Sequence, residues 1–243
     1  MATNLANAFD QAGHTINQVV SRNAATSKEL ASKYGAYFGT QLSELYNDSD
    51  FILLCVNDES IKDVISELPE GLKGIVCHTS GPVAMDVLQQ YPGQYGVFYP
   101  LQSLTKSNIQ SLMNVPIFIE WSDGTTRIAI RNLADSISNK VRETSSEDRL
   151  KYHLAAVFAN NFTNLMYSIA DNYLTANKLD FENLLPIIEE TASRLKFAKP
   201  SDLQTGPAKR GDKKIIEKHL EMLGESELNE IYSKLSNFIM TKL

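Results

Sequence analysis

Four histidines occur in the 243-residue sequence, and two of them have neighbours that suit chemistry. His153 opens the run His-Leu-Ala-Ala-Val-Phe-Ala-Asn-Asn that ends at Asn161. Projected at about 3.6 residues per turn, Val157, Asn160 and Asn164 fall within about 40° of His153, a partly polar stripe on one helix face. An imidazole with an ordinary pKa of about 6.5 suits proton transfer at neutral pH, and it equally suits a structural hydrogen bond between helices. Asn161 joins the opposite row with Leu154, Phe158 and Leu165, where a buried amide needs hydrogen-bond partners. His78 stands in a strand-to-helix turn, His78-Thr79-Ser80-Gly81, either as a catalytic group or as a side chain held by backbone partners. The segment Thr205 to Asp212 combines a tight turn with Arg210, whose guanidinium can bind a carboxylate or phosphate bidentately or form a salt bridge. Ser21 and Arg22 offer a hydroxyl and a guanidinium to an anion; the bland reading is a solvated turn that caps the helix beginning near Ser27. His219, on an amphipathic helix, reads as packing or surface.

The elements that must hold these residues fall into two parts. Over residues 1–145 helical and strand signals alternate. Helices are expected over Thr3 to Ala12, Ser27 to Tyr34, around Leu42 to Tyr46, and over Glu59 to Leu68, Val83 to Gln90 and Arg127 to Ile137. Strands are expected at Thr15 to Ser21, Ala36 to Thr40, Phe51 to Val56, Gly74 to Thr79, Tyr95 to Tyr99, Val115 to Trp121 and near Val141. Continuous apolar strands separated by helices imply a parallel, doubly wound α/β sheet covered on both faces. Residues 146–243 carry no strand signal and read as an all-α domain: Ser146 to Asn177, Phe181 to Leu195, Asp212 to Leu223 and Ser226 to Leu243. A formal net charge of -6 argues against a nucleic-acid partner, because such surfaces need a basic face. No apolar stretch approaches the ~20 residues of a membrane span and no signal peptide opens the chain, so a cytoplasmic protein is expected. Cys55 and Cys77 sit in apolar strand runs, suiting small buried thiols rather than disulfide or metal ligands.

In a Rossmann-like domain the first strand leads into G-x-G-x-x-G/A, whose glycines let the backbone approach a pyrophosphate at the next helix N-terminus. Here the sequence opens inside that helix, with Ala2 at the last small position of the fingerprint. The first strand and glycine loop are therefore expected to be missing from it. The alternative is a different α/β fold that begins with a helix. At about 20 residues further on, where the ribose-reading residue belongs, Ser21 and Arg22 stand in place of an acidic residue, which favours NADP over NAD.

Four ordered motifs, Val76-Cys-His-Thr-Ser-Gly-Pro82, Tyr99-Pro-Leu-Gln102, the His153 to Asn161 run and Thr205-Gly-Pro-Ala-Lys-Arg-Gly-Asp212, carry a resemblance over essentially the whole chain. It resembles a bacterial family of Rossmann-like proteins with a C-terminal helical domain of unknown function, described as NADP-dependent oxidoreductases. That family is similar to pyrroline-5-carboxylate reductase and to the 6-phosphogluconate and β-hydroxyacid dehydrogenases, whose substrates react between a Rossmann domain and a helical domain. The resemblance implies that Val56, Asn57 and Asp58 end one strand beside the dinucleotide, and that His78, Thr79, Ser80 and Gly81 end the next near the nicotinamide. Tyr99 departs from the histidine often seen before Pro-Leu in that family. Where β-hydroxyacid dehydrogenases carry a catalytic lysine this chain has Val157, so His153, or a water held by Asn160 and Asn161, is the expected proton carrier, with Arg210 on the substrate. Two functions are then expected: an NADP(H)-dependent oxidoreductase acting on a small carbonyl, imine or hydroxy compound, or a non-catalytic nucleotide-binding or interaction protein. In either case a homodimer through the helical domain is expected.

Overall fold

The computed structural model describes residues 1–242; the expected end of the last helix at Leu243 lies outside the described residues. The chain divides into two compact units, residues 1–166 and 167–243.

The first unit opens with α1 (Ala2–Gln11), whose Leu5, Ala8 and Phe9 recur at helical spacing and enter the main core. There they meet Ile75, Cys77, Phe98, Ile117 and Ile119 from the strands and Ile130 and Leu133 from a later helix. The Asn4 amide, fully buried, bonds the Thr105 carbonyl and the Gln110 amide, so α1 is tied to the long loop before residue 117. Strand β1 (Gln18–Val20), helix α2 (Ala24–Ser32) and strand β2 (Tyr37–Gly39) form a small parallel sheet of their own. The larger sheet has the order β3 (Phe51–Leu54), β4 (Ile75–His78), β5 (Tyr95–Pro100), β6 (Ile117–Trp121), β7 (Val141–Glu143). Helix α3 (Ile61–Ser66) connects β3 to β4, and α4 (Gly124–Asp135) connects β6 to β7. The Asp123 carboxylate caps α4 by accepting from the Thr125 and Thr126 amides.

Two features of the sheet qualify the parallel doubly wound pattern, and only the second departs from the sequence reading. β1 and β3 each pair on one side only, so the sheet is in two pieces. β6 runs antiparallel to β5, because the connection between them contains no helix to carry the chain back to the starting edge. The remaining pairings, β3 with β4, β4 with β5 and β6 with β7, are parallel, and the doubly wound α/β character stands.

After β7 the Ser145 hydroxyl caps α5 (Ser146–Ala156) by accepting from the Asp148 amide, and Glu147 and Asp148 place negative charge on the helix's first turn. The helix continues through a π-helical segment, Val157–Phe162, into α6 (Thr163–Ala176). Beyond residue 166 the second unit adds α7 (Leu185–Arg194), the short α8 (Pro200–Leu203) and α9 (Pro207–Arg210), then α10 (Lys213–Leu223) and α11 (Glu227–Lys242). The Asp212 side chain caps α10, as the sequence suggests, and Gly211 takes the left-handed conformation that ends α9. Among the described residues no helix is long and apolar enough to cross a membrane, and no cluster of potential metal ligands forms.

Candidate functional site

The carboxyl ends of parallel strands are where α/β folds put their chemistry, because the strands stop there and the turns can shape a ligand site. Here β4 ends at His78 and passes into the turn 79–83, while the neighbouring β5 brings Tyr99 to the same edge. Successive residues of β5 alternate between faces, so Phe98 enters the main core while Tyr99, with Val97, packs against Phe118, Met85 and Leu101. Across this second face lies α5. Its Tyr152 ring sits 4.8 Å from the Phe118 ring, and its His153 Nδ1 lies 3.4 Å from the Tyr99 hydroxyl.

Gly81 is what lets these two side chains meet the turn. A Cβ on Gly81 would stand 2.7 Å from His153 Nδ1 and 2.8 Å from the Tyr99 ring, closer than any side chain tolerates without moving its neighbours. Burial pushes the Tyr99 phenol above its ordinary range, Arg149 pulls it back and the Asp58 carboxylate adds to the rise. Tyr99 is therefore a protonated donor at neutral pH.

Arg149, one helical turn before His153, is fully buried. Its guanidinium pairs with Glu120 and donates to the carbonyls of Gly81, at 3.0 Å, and Val83. Ser146 completes the cluster: its hydroxyl donates to Glu120 at 2.7 Å and accepts from the Met85 amide at 2.9 Å. Desolvation lowers the Arg149 pKa to about 10, so it keeps its charge at neutral pH. The cluster fastens the start of α5 to the turn after β4. Sequence reasoning missed both Glu120 and Arg149; an isolated carboxylate inside an apolar strand and a cation on the His153 face of α5 were each visible, but nothing in the sequence paired them.

His78 has no exposed surface. Its Nδ1 accepts from the Ser80 amide at 3.2 Å, which shapes the turn, and burial first, then Arg149, drops its pKa to about 3 against a small opposing effect of the Ala84 backbone. His78 therefore acts on the turn, as a neutral imidazole. Thr79 is nearly buried and donates from its hydroxyl to the Leu54 carbonyl, locking the ends of β3 and β4 together. The Ser80 hydroxyl accepts from the Val83 amide. Val56, Asn57 and Asp58 follow β3 as an exposed turn, and Asp58 acts electrostatically on Tyr99.

The other expected residues stand elsewhere. Ser21 and Arg22 follow β1; Arg22 is exposed, and the capping of α2 falls to Asn23, whose side chain accepts from the Thr26 amide. Asn160 and Asn161 lie in the π segment and are exposed. Asn161 is not buried within the chain, and its row, Leu154, Phe158 and Leu165, is exposed too. Arg210 is exposed at the end of α9 in the second unit. Within the first unit the structure thus joins His153 to Tyr99 and the turn 78–81 and leaves Arg22 and the two asparagines apart from that cluster, while Arg210 belongs to the second unit.

A mixed α/β sheet with polar side chains gathered at its carboxyl edge, followed by an all-α region, defines a Rossmann-like two-part protein. The chain belongs to the family of NADP oxidoreductases that carry a C-terminal domain of unknown function: the model for that domain, DUF2520, matches residues 115–239, and the model described as "NADP oxidoreductase coenzyme F420-dependent" matches residues 1–77. A "putative NADP oxidoreductase" of Bacteroides fragilis is similar at 35% identity, with a TM-score of 0.91 over 99% of this chain and 94% of that one. A Thermotoga maritima protein shares the fold at 23% identity and a TM-score of 0.72, covering 98% of this chain and 94% of its own. The 1-pyrroline-5-carboxylate reductase of Streptococcus pyogenes does so at 16% identity and a TM-score of 0.64, over 99% of this chain and 95% of that one. No curated protein sequence matches the chain.

Proposed function

We propose that the protein is a cytoplasmic NADP(H)-dependent oxidoreductase acting on a small carbonyl, imine or hydroxy compound, with His153 moving the proton. The observation that carries this reading is the meeting of His153, Tyr99 and the Gly81 turn at the carboxyl edge of β4 and β5, in a chain 35% identical to a protein described as an NADP oxidoreductase.

The fit to the cofactor is uneven. Arg22 is an exposed guanidinium at the end of β1, with Ser21 before it in the chain, at the sequence position where an NAD-preferring site carries an acidic residue. Asn57 and Asp58 after β3, and the turn Thr79 to Gly81 after β4, are the backbone and side-chain groups that would border the dinucleotide. The twelve glycines of the sequence form no G-x-G-x-x-G, so no residue is assigned to the pyrophosphate. When bound, the nicotinamide supplies or takes the hydride. The chain's own residues hold the proton: His153 at Nδ1, with Asn160 and Asn161 as exposed amides able to order a water on the same helix. Arg210 remains a proposed anchor for a substrate carboxylate.

Calorimetric titration with NADPH and NADH tests this reading. NADPH is expected to bind more tightly, and Arg22→Ala is expected to weaken NADPH about 10-fold or more while leaving NADH nearly unchanged, since a charged hydrogen bond to the 2′-phosphate contributes roughly 1.5–3 kcal/mol. Absence of binding by either nucleotide ends the oxidoreductase reading. Equal losses for both ligands would remove Arg22 from the 2′-phosphate.

A further inference from the structure

We infer that Tyr99 is the group that hands the proton to the substrate, with His153 as its reservoir, a catalytic role that rests on the oxidoreductase reading above. Three observations support it. Tyr99 is nine-tenths buried, and its phenolic oxygen lies 3.4 Å from His153 Nδ1. Catalytic hydrogen bonds are commonly long before substrate binds and shorten afterwards, so this separation suits a proton path. Gly81 is the one residue type that leaves room for the pair, since any Cβ there would press on both His153 Nδ1 and the Tyr99 hydroxyl carbon. The charged groups around the phenol, Arg149 and Asp58, act in opposite directions, and Arg149 is already occupied by Glu120 and two carbonyls. Tyr99 therefore keeps its proton, and the cation that acts on it, Arg149, is held by other partners.

In the direction of reduction, a bound reduced nicotinamide dinucleotide would supply the hydride for the carbon of a C=O or C=N bond and would itself be oxidised. The Tyr99 O–H bond breaks as the new O–H or N–H bond forms on the substrate heteroatom. The phenolate takes a proton from His153 Nδ1–H, and the half-exposed imidazole regains one from solvent. Oxidation of a hydroxy compound runs the same path backwards, with Tyr99 receiving the proton and His153 releasing it.

Two measurements test the role, one of them independent of cofactor. With tyrosine labelled at Cζ, the Tyr99 resonance, assigned by its loss in Tyr99→Phe, is followed against pH in the wild type, His153→Gln and Gly81→Ala. Loss of the His153 partner and the steric wedge of the Gly81→Ala methyl are both expected to displace the Tyr99 titration, while the other nine of the ten tyrosines keep theirs. Curves that superimpose on the wild type in both variants overturn the coupling. The second measurement is NADPH oxidation with a panel of small ketones, aldehydes and cyclic imines. Tyr99→Phe is expected to lower kcat about 100-fold or more with NADPH affinity unchanged, the usual reach of a positioned acid, and Gly81→Ala to lower it without unfolding the protein. Wild-type kcat in Tyr99→Phe, beside a collapse in His153→Ala, overturns the Tyr99 role alone. A wild type that binds no nicotinamide and reduces nothing overturns the oxidoreductase reading and the proton-donor role with it.

Discussion

Burial disfavours the charged form of His78 and of Arg149 alike, yet only His78 loses its charge at neutral pH. The difference lies in where each starts. An arginine lowered to about 10 is still a cation at pH 7, whereas a histidine lowered from 6.5 to about 3 is neutral. A neutral His78 is what the turn needs, because its Nδ1 must accept from the Ser80 amide. The linkage has a definite sign. The folded pKa lies below the unfolded one, so the unfolded chain binds the extra proton; the stability from a neutral His78 is complete above about pH 6.5 and is lost progressively as pH falls toward 3. At pH 5 the loss amounts to about 2 kcal/mol. Urea unfolding at pH 7 and pH 5 is expected to show a larger drop in the wild type than in His78→Gln, which has no proton to gain. Equal drops in the two proteins would remove His78 as the source.

At the level of elements, the same turn is held from the other side by the first turns of α5. Arg149 pairs with Glu120 of β6 and reaches the Gly81 and Val83 carbonyls, so helix, strand and turn share one buried charge cluster. Removing one partner leaves the other buried and unpaired, which costs about 3 kcal/mol or more, whereas removing both costs less than the sum. A double-mutant cycle with Glu120→Leu and Arg149→Leu is therefore expected to give a coupling of about 2 kcal/mol in urea unfolding; a coupling near zero would mean the pair is incidental. This cluster was not legible in the sequence. Glu120 sits within an apolar strand and Arg149 in a charged helical turn, and no periodicity links two residues whose contact depends on α5 crossing β6. The order of helices and strands was legible, because runs such as Phe51 to Val56 and Ile75 to Cys77 are apolar throughout and the segments between them carry helical spacing. The antiparallel β6 was not, since strand direction follows from the connection rather than from the strand. The π segment was not either: a wider turn depends on how the helix is held, and it moves Asn160 and Asn161 off the faces that a uniform helix assigns them. Within the site, His153 and the turn 78–81 were legible as chemistry-bearing types, whereas the partner of His153 became visible only when β5 and α5 were seen to cross at Tyr99.

On the scale of the whole molecule, the long helix is unusual in leaving its apolar side uncovered. Leu154, Phe158, Phe162 and Leu165 are 57, 63, 46 and 48% exposed, and their spacing of four, four and three residues makes them one continuous stripe along α5, the π segment and α6. Scattered apolar residues on a surface need no explanation, but a stripe of large side chains along several helical turns marks a surface that is covered in use. A second copy of the chain is the proposed cover: a two-fold axis lays the same stripe against itself, so every apolar residue meets an apolar neighbour without any further sequence being required. Sedimentation or light scattering is expected to show a dimer for the wild type. Phe158→Glu, which puts a charge at the middle of the stripe, is expected to give a folded monomer with unchanged helix content by circular dichroism. The stripe faces away from the row of His153, so the Tyr99 titration of that monomer should match the wild type. A monomeric wild type, or a Phe158→Glu variant that still dimerises, would mean that the stripe serves some other surface and that the helical region does not pair the chains.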